Sequence, residues 1–291
     1  MQGTAHLMAA LAHEEGMNDT ALDGVKIFRC SKYAEPGPLC YYQGVLIVGQ
    51  GKKRVYLDDN VFDYDTNNTL VMTVPMPVEC ETFATPEEPV LVLVVDIDLP
   101  QLNHLIRVMD AHYQLPTDIG ESHLPGYFIA DNSDDMNNCV VRLLEALQSP
   151  LEAEALGQAL LQELLFRLLE QPNSAPLYAL SMSHTRLSRI DKALSFIHKN
   201  YGSSIEVEQL AKLVSMSPSA FHRCFKEVTS CSPIQYLKKI RLNKARDLLQ
   251  QQGLKVKDAA LEVGYESAAQ FSREFKRYFK KNPGEIIHLP R

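Results

Sequence analysis

The 291-residue sequence has no CxxC pair, no long apolar run and no histidine between residues 41 and 96. Each gap removes a class of protein. No uninterrupted apolar stretch exceeds six residues, the length of 90–95, VLVLVV, far below the roughly 18 residues a membrane helix needs, so no membrane partner is expected. Residues 8–12 are apolar, but no Lys or Arg precedes them and Glu14 and Glu15 follow, so they fail as a signal peptide. The six cysteines, Cys30, Cys40, Cys80, Cys139, Cys224 and Cys231, read as reduced thiols of a cytoplasmic protein. A metal-dependent barrel enzyme needs clustered His and carboxylate ligands on adjacent strands. His104, His112 and His123 come later, at spacings that match no metal motif, so no metal is predicted. Walker A, GxSxG, HExxH and dinucleotide fingerprints are all missing, which predicts no catalytic residue and no cofactor. Asp58, Asp59, Asp63 and Asp65 read as solvated turn carboxylates.

What is present is ordinary globular material, 45% hydrophobic and 22% charged, enough for one large or two medium domains. The net charge of −7 hides a split. Residues 1–180 carry 9 basic and 26 acidic side chains, net −17, whereas residues 181–291 carry 20 and 10, net +10. Such polarity predicts a basic nucleic-acid-binding module attached to an acidic regulatory one. It further predicts that the acidic half touches the basic half.

From residue 41 to 96 short β-branched runs (45–48, 54–57, 70–74, 90–95) alternate with turn clusters, the texture of an antiparallel sandwich or small barrel. Two helices should follow. Leu143, Leu144 and Leu147 mark the first, and Leu156, Leu160, Leu161, Leu164, Leu165 and Leu168 the second. That second stripe is wide enough for core packing and for a contribution to a homodimer. Prolines and an Asn-Ser pair in 171–176 read as linker chemistry. The expected division is 1–176 for a first, acidic domain, 177–187 for a linker and 188–291 for the basic domain.

The basic half contains a repeat. Residues 221–226, FHRCFK, and 271–276, FSREFK, share the pattern FxRxFK at an offset of fifty, and Ser217/Ser267 and Pro233/Pro283 keep it. Each copy reads as helix, tight turn, helix. Ser203 and Glu206 are expected to cap the first, and Gly264 suits a left-handed turn in the second where Ser215 stands in the first. Phe221, Phe225, Phe271, Phe275 and Phe279 anchor the second helices in the core. Their opposite faces carry Ser217, Ser219, His222, Arg223 and Lys226 in one copy, and Ser267, Ala269, Gln270, Arg273, Lys276 and Arg277 in the other. These groups suit base edges and phosphates. Residues 234–251 predict one helix of roughly 27 Å, a spacer on the scale of successive major-groove faces about 34 Å apart. Arg241 within it is expected to form an intraprotein ion pair.

These residues resemble the DNA-binding domain of the AraC/XylS family of bacterial transcription regulators. The resemblance spans 188–288 and rests on the two spaced units, the segment VGYESAAQFSREFKRYF and the closing Asn282-Pro283. QGVLIVGQGKKRVYL and LLQELLFRLLEQP in the first half resemble the cupin-like N-terminal domain, with trailing helices, of one AraC-type subgroup. The implied fold class is α+β: an antiparallel cupin-like barrel followed by an all-α domain with two helix-turn-helix units on a long helix. The implied partners are double-stranded promoter DNA, a small-molecule effector of unknown identity, a second copy of the chain and RNA polymerase. Ala268 and Ala269 depart from the longer polar residues such regulators often carry, which shifts readout by the second unit to Gln270, Arg273 and thymine-methyl contact. The alternative is a cupin-type enzyme carrying a DNA-binding domain. Cys30, Cys40 and Cys80 are weighed as buried hydrophobes against an oxidant or electrophile sensor, which needs an exposed thiol of low pKa.

Overall fold

The computed structural model describes residues 2–57, 60–112 and 123–286; Asp58 and Asp59 lie outside them. Helix α1 (Gln2–Leu11) precedes nine strands: β1 (Gly16–Asp19), β2 (Val25–Cys30), β3 (Ala34–Tyr41), β4 (Gly44–Gln50), β5 (Lys52–Leu57), β6 (Asn60–Asp65), β7 (Asn68–Met72), β8 (Met76–Phe83) and β9 (Val90–Asp96). Helix α2 (Leu99–Asp110), strand β10 (Tyr127–Asp131) and helices α3 (Asp134–Ala146) and α4 (Pro150–Leu169) follow. The strands form two antiparallel sheets, ordered β1-β2-β9-β4-β7-β10 and β3-β8-β5-β6. The sheet is therefore larger than the 41–96 window. Strands β1 and β3 hide from pattern reading because GMND and AEPGPLCY are poor β-formers. Strand β3 lies at a sheet edge and its register with β8 shifts between Ala34 and Gly37, the setting in which Pro36 and Pro38 are tolerated.

Strands β4 and β9 are buried almost throughout, so they read as continuous apolar runs. Helix α1 packs against both. Its Met8 is fully buried against Gly49, where a Cβ would stand 2.5 Å from the Met8 sulfur. Helices α3 and α4 match expectation, each N-capped by a serine side chain, Ser133 and Ser149. Leu160, Leu161, Leu164, Leu165 and Leu168 are buried within this chain, which makes them core; Leu151 and Leu156 on the same helix are exposed. No helix among the described residues is long and apolar enough to cross a membrane.

The expected linker is not extended chain. Helix α5 (Ala175–Ser181) occupies its start with Leu177, Tyr178, Ala179 and Leu180 buried. Pro176 begins this helix rather than breaking one, because a proline in the first turn gives up no intrahelical bond. Helix α6 (Arg186–Asn200) starts directly after, capped by Thr185. Helices α7 (Val207–Leu213), α8 (Pro218–Thr229), α9 (Pro233–Gln251), α10 (Val256–Glu262), α11 (Ala268–Phe279) and α12 (Pro283–Ile286) complete the chain. One apolar core runs from the barrel through α3–α6 to Phe221, Phe225, Tyr236 and Ile240. A second, separate core begins at Leu242 and gathers Ala259, Val263, Phe271 and Phe275. Packing thus changes hands halfway along α9.

Candidate nucleic-acid interface and interior cavity

Helices α7–α8 and α10–α11 are the two helix-turn-helix units. Their turns use the same left-handed residue, Ser215 at φ +54° and Gly264 at φ +84°. Ser217 and Ser267 are the N-caps of α8 and α11, accepting from Ala220 N and Gln270 N, both at 3.3 Å. Phe221, Phe225, Phe271 and Phe275 are fully buried, so the opposite faces point outward. Ser217, Ser219, His222, Arg223 and Lys226 are exposed together, as are Ser267, Ala269, Gln270, Arg273, Lys276 and Arg277. Each unit thus presents a hydrogen-bonding and basic face, and α9, 19 residues long, spaces the two by roughly 28 Å.

Two local expectations fail. Ser203 and Glu206 do not form a capping pair: α7 begins at Val207, so Glu206 itself is the N-cap, without a side-chain bond, while Ser203 N closes onto Asn200 O at 2.9 Å. Arg241 meets carbonyls instead of a carboxylate, donating to Tyr201 O and Ser203 O at 2.8 Å each. The end of α6 comes so close to the second turn that a Cβ on Gly264 would lie 2.6 Å from Gly202 O. Little room is left there for an acidic side chain.

Glu274, the acidic member of the second FxRxFK copy, is an organiser that the repeat pattern does not announce. It accepts from Lys238 Nζ at 3.0 Å, Tyr265 OH at 2.9 Å and Gln270 Nε2 at 3.4 Å. Burial opposes its ionisation, but the bonds from Lys238, Tyr265 and Gln270 outweigh it and hold the carboxyl below the usual range. Gln270, expected to reach bases, is thereby tethered to its own helix. The signal was available in the i,i+4 spacing of Gln270 and Glu274.

The acidic and basic halves do touch. Among the described residues, however, no Asp or Glu of 1–180 pairs with a Lys or Arg of 181–291. The joint uses hydrogen bonds: Gly126 N to Val228 O at 3.0 Å, Lys244 Nζ to Tyr42 OH at 3.1 Å and Arg246 to Pro38 O at 3.0 Å. Tyr236 OH donates to Pro75 O at 2.9 Å, which leaves His198 Nε2–H to donate to Tyr236 at 2.8 Å. Burial, aided by Lys244, pushes His198 down to about 4, so its ring is neutral at pH 7. Across the joint His123 Nδ1 lies 2.7 Å from a Glu227 carboxylate oxygen, so here the carboxylate belongs to the basic half, on α8 beside Arg223.

Between the sheets lies a cavity of about 1050 Å³. Phe28, Leu39, Leu46, Val92 and Val94 make its apolar wall, and Asn243, Arg246 and Asp247 of α9 reach its rim. Arg246 also lies over the Phe279 ring of α11, 5.4 Å from its centre. Cys40 and Cys80 line the cavity too. Burial pushes the Cys40 thiol up to about 12, which disfavours the thiolate a sensor needs. Cys80 is buried beside Tyr41 OH at 3.2 Å, and Cys30 Sγ lies 3.1 Å from Lys32 O. Cys224 and Cys231 are buried packing residues.

A two-sheet domain with an open chamber between its sheets, joined to paired helix-turn-helix units on one long helix, defines a class of two-part, DNA-reading architecture. Residues 21–176 match the AraC-type transcriptional regulator N-terminus and residues 210–288 match a helix-turn-helix domain. The chain belongs to the AraC-type transcriptional regulators. It is 27% identical over 172 residues to the lactose operon transcription activator of Staphylococcus xylosus, covering 58% of this chain and 60% of that one. It is 30% identical over 185 residues to the HTH-type transcriptional regulator AlkR of Acinetobacter baylyi, covering 63% and 56%. The matches therefore span about 60% of those relatives' lengths. Unsaturated fatty acid-bound ToxT from Vibrio cholerae has the same fold, with a TM-score of 0.60 at 12% identity over 90% of this chain and 94% of that one.

Proposed function

We propose that the chain regulates transcription by binding promoter DNA through both helix-turn-helix units, under the control of a small molecule held between the sheets. The observation that carries this reading is α9. It supports both units, lines the rim of the chamber through Asn243, Arg246 and Asp247, and reaches α11 through Arg246. A ligand in the chamber and DNA on the outer faces would bias one shared element, which makes them linked sites. ToxT, the neighbour of like fold, carries an unsaturated fatty acid, in keeping with control by a small molecule.

In this reading Arg223 and Arg273 take base edges, Lys226, Lys276 and Arg277 take phosphates, and His222, Ser219, Gln270 and Ala269 tune local contacts. Ser217 and Ser267 act chiefly as caps that fix the approach of each helix. A cytoplasmic setting and RNA polymerase as a further partner follow from the same role. A second copy would pack on α4, where Leu151 and Leu156 are exposed. Genome-wide mapping of bound DNA followed by titration at several salt concentrations tests the proposal. Arg223→Ala or Arg273→Ala should cost about 1–3 kcal/mol with relaxed base preference, whereas Lys226→Ala or Lys276→Ala should weaken all sequences and lower the salt slope by about 1. Failure of the intact chain to bind any promoter fragment in moderate salt would overturn it.

A further inference from the structure

Strand β5 alternates outward and inward residues, and its inward set is Lys53, Val55 and Leu57. An inward lysine between two apolar sheets breaks the pattern. Lys53 is 4% exposed and lines the chamber. Among the described residues its ammonium meets no carboxylate and no hydrogen-bond acceptor. It lies 4.4 Å from the centre of the Phe28 ring and 5.7 Å from that of Tyr41. Aromatic faces offset part of the cost of desolvating a cation but leave its three N–H donors unfilled.

The sheet register places hydroxyls on either side of it. Lys53 pairs across the strands with Tyr64 of β6 and Thr82 of β8, and both line the same chamber. Tyr64 OH is 2.6 Å from Tyr41 OH. A row of one ammonium flanked by hydroxyls therefore faces a space walled by Phe28, Leu46, Val92 and Val94. The other charges at the rim are spent or acidic. Lys26 pairs with Asp19 at 2.7 Å, Arg246 contacts Asp247 at 3.4 Å, and Glu35 and Asp96 add negative charge.

We infer that Lys53, with Tyr64 and Thr82, is the head-group site for a monocarboxylate carrying an apolar body, which is the effector class of this chain. One uncommitted cation matches one negative charge, and the hydroxyls supply donors to the second carboxylate oxygen. A dianionic phosphate would face the acidic rim with half its charge uncompensated. A sugar would leave most of its hydroxyls against apolar walls. The volume of about 1050 Å³ suits a body at or beyond the upper end of common ligand pockets, roughly 300–1,000 Å³. This assignment rests on the chamber being the effector site of the proposed regulator.

The test titrates the full chain, by calorimetry, with dodecanoate, dodecan-1-ol and inorganic phosphate. Dodecanoate should bind at least tenfold more tightly than the alcohol, and phosphate should show no saturable binding. Lys53→Met should bring the acid down to the affinity of the alcohol and leave the alcohol unchanged, while Lys53→Arg keeps the preference. Equal affinities in the unaltered chain, or an acid preference that survives Lys53→Met, overturns the proposal. Should Lys53→Met not fold, as judged by circular dichroism, Thr82→Val and Tyr64→Phe decide: each should weaken the acid severalfold without touching the alcohol, and an unchanged acid affinity overturns it. Acid binding that depends on Lys53 supports the site even where promoter affinity stays constant; that combination counts only against coupling of the chamber to DNA.

Discussion

The two helix-turn-helix units share a pattern, a serine cap and a left-handed turn, yet they stand on different foundations. The first shares its apolar core with the barrel and α3–α6; its Val228 O accepts from Gly126 N, and Tyr236 at the adjoining start of α9 donates to Pro75 O. The second has a core of its own, and Glu274 gathers Lys238, Tyr265 and Gln270 where the first unit has the buried thiol Cys224. A sequence repeat therefore does not give an energetic repeat. The first unit is bound to the fate of the sensor, whereas the second has an apolar core of its own and meets the sensor at β3.

The strongest way to break this comparison is to hollow out each core. Phe221→Ala and Phe271→Ala should each cost about 3–5 kcal/mol, because both rings are fully buried. Hydrogen exchange should distinguish them: Phe271→Ala opens amides in 242–286 alone, whereas Phe221→Ala weakens the sensor as well. One shared transition in both variants would sink the two-core description.

The turns provide the next test. Gly264→Ala should cost about 2–4 kcal/mol, from its left-handed backbone and the approach to Gly202 O. Ser215→Gly should gain up to about 1 kcal/mol in urea unfolding, since it relieves a positive φ. Equal and opposite effects would mean that the Gly202 contact contributes nothing.

Charge sharpens the contrast further. The Glu274 carboxyl is held below its ordinary value of 4.5, so its stabilisation is full above that pH and is lost as the pH falls through the lowered value. Glu274→Gln should cost about 1–3 kcal/mol at pH 7 and flatten this acid limb. His198 at the first unit's joint responds earlier. Its depressed value, about 4 against 6.5, makes acid costly from pH 6.5 downward. Replacing His198 with Gln should remove that earlier loss, read as urea midpoint against pH.

Much of the second half was readable from residue spacing, because Phe anchors, serine caps and a left-handed turn are local devices. The barrel was readable only where strands are β-branched. Strands β3 and β10 depend on partners distant in sequence, β1 is a short polar strand without β-branched residues, and prolines in β3 are admissible only at an edge no local pattern reveals. The same limit hid the site. Lys53 in QGKKRVYL resembles any hairpin lysine until the register sets it between Tyr64 and Thr82. Arg241, read as half of an ion pair, found carbonyls because helix ends expose them. Asn-Ser and proline near residue 176 read as a linker, although they start a buried helix.

Helix α9 is in effect a lever, pinned at its first turn and tied again to the sensor through Lys244 and Arg246. Tyr236 fastens its first turn to Pro75 and His198, while its far end, around Leu249, belongs to the second core. A tilt of about 5° at the pin sweeps the far end through roughly 2 Å, given about 1.5 Å of rise per residue. That is more than half of the roughly 3.4 Å between successive bases. A change in the contacts of Arg246, partway along the lever, would move α11 further than α8. A chamber that only nudges this helix would retune one reader against the DNA and leave the other in register.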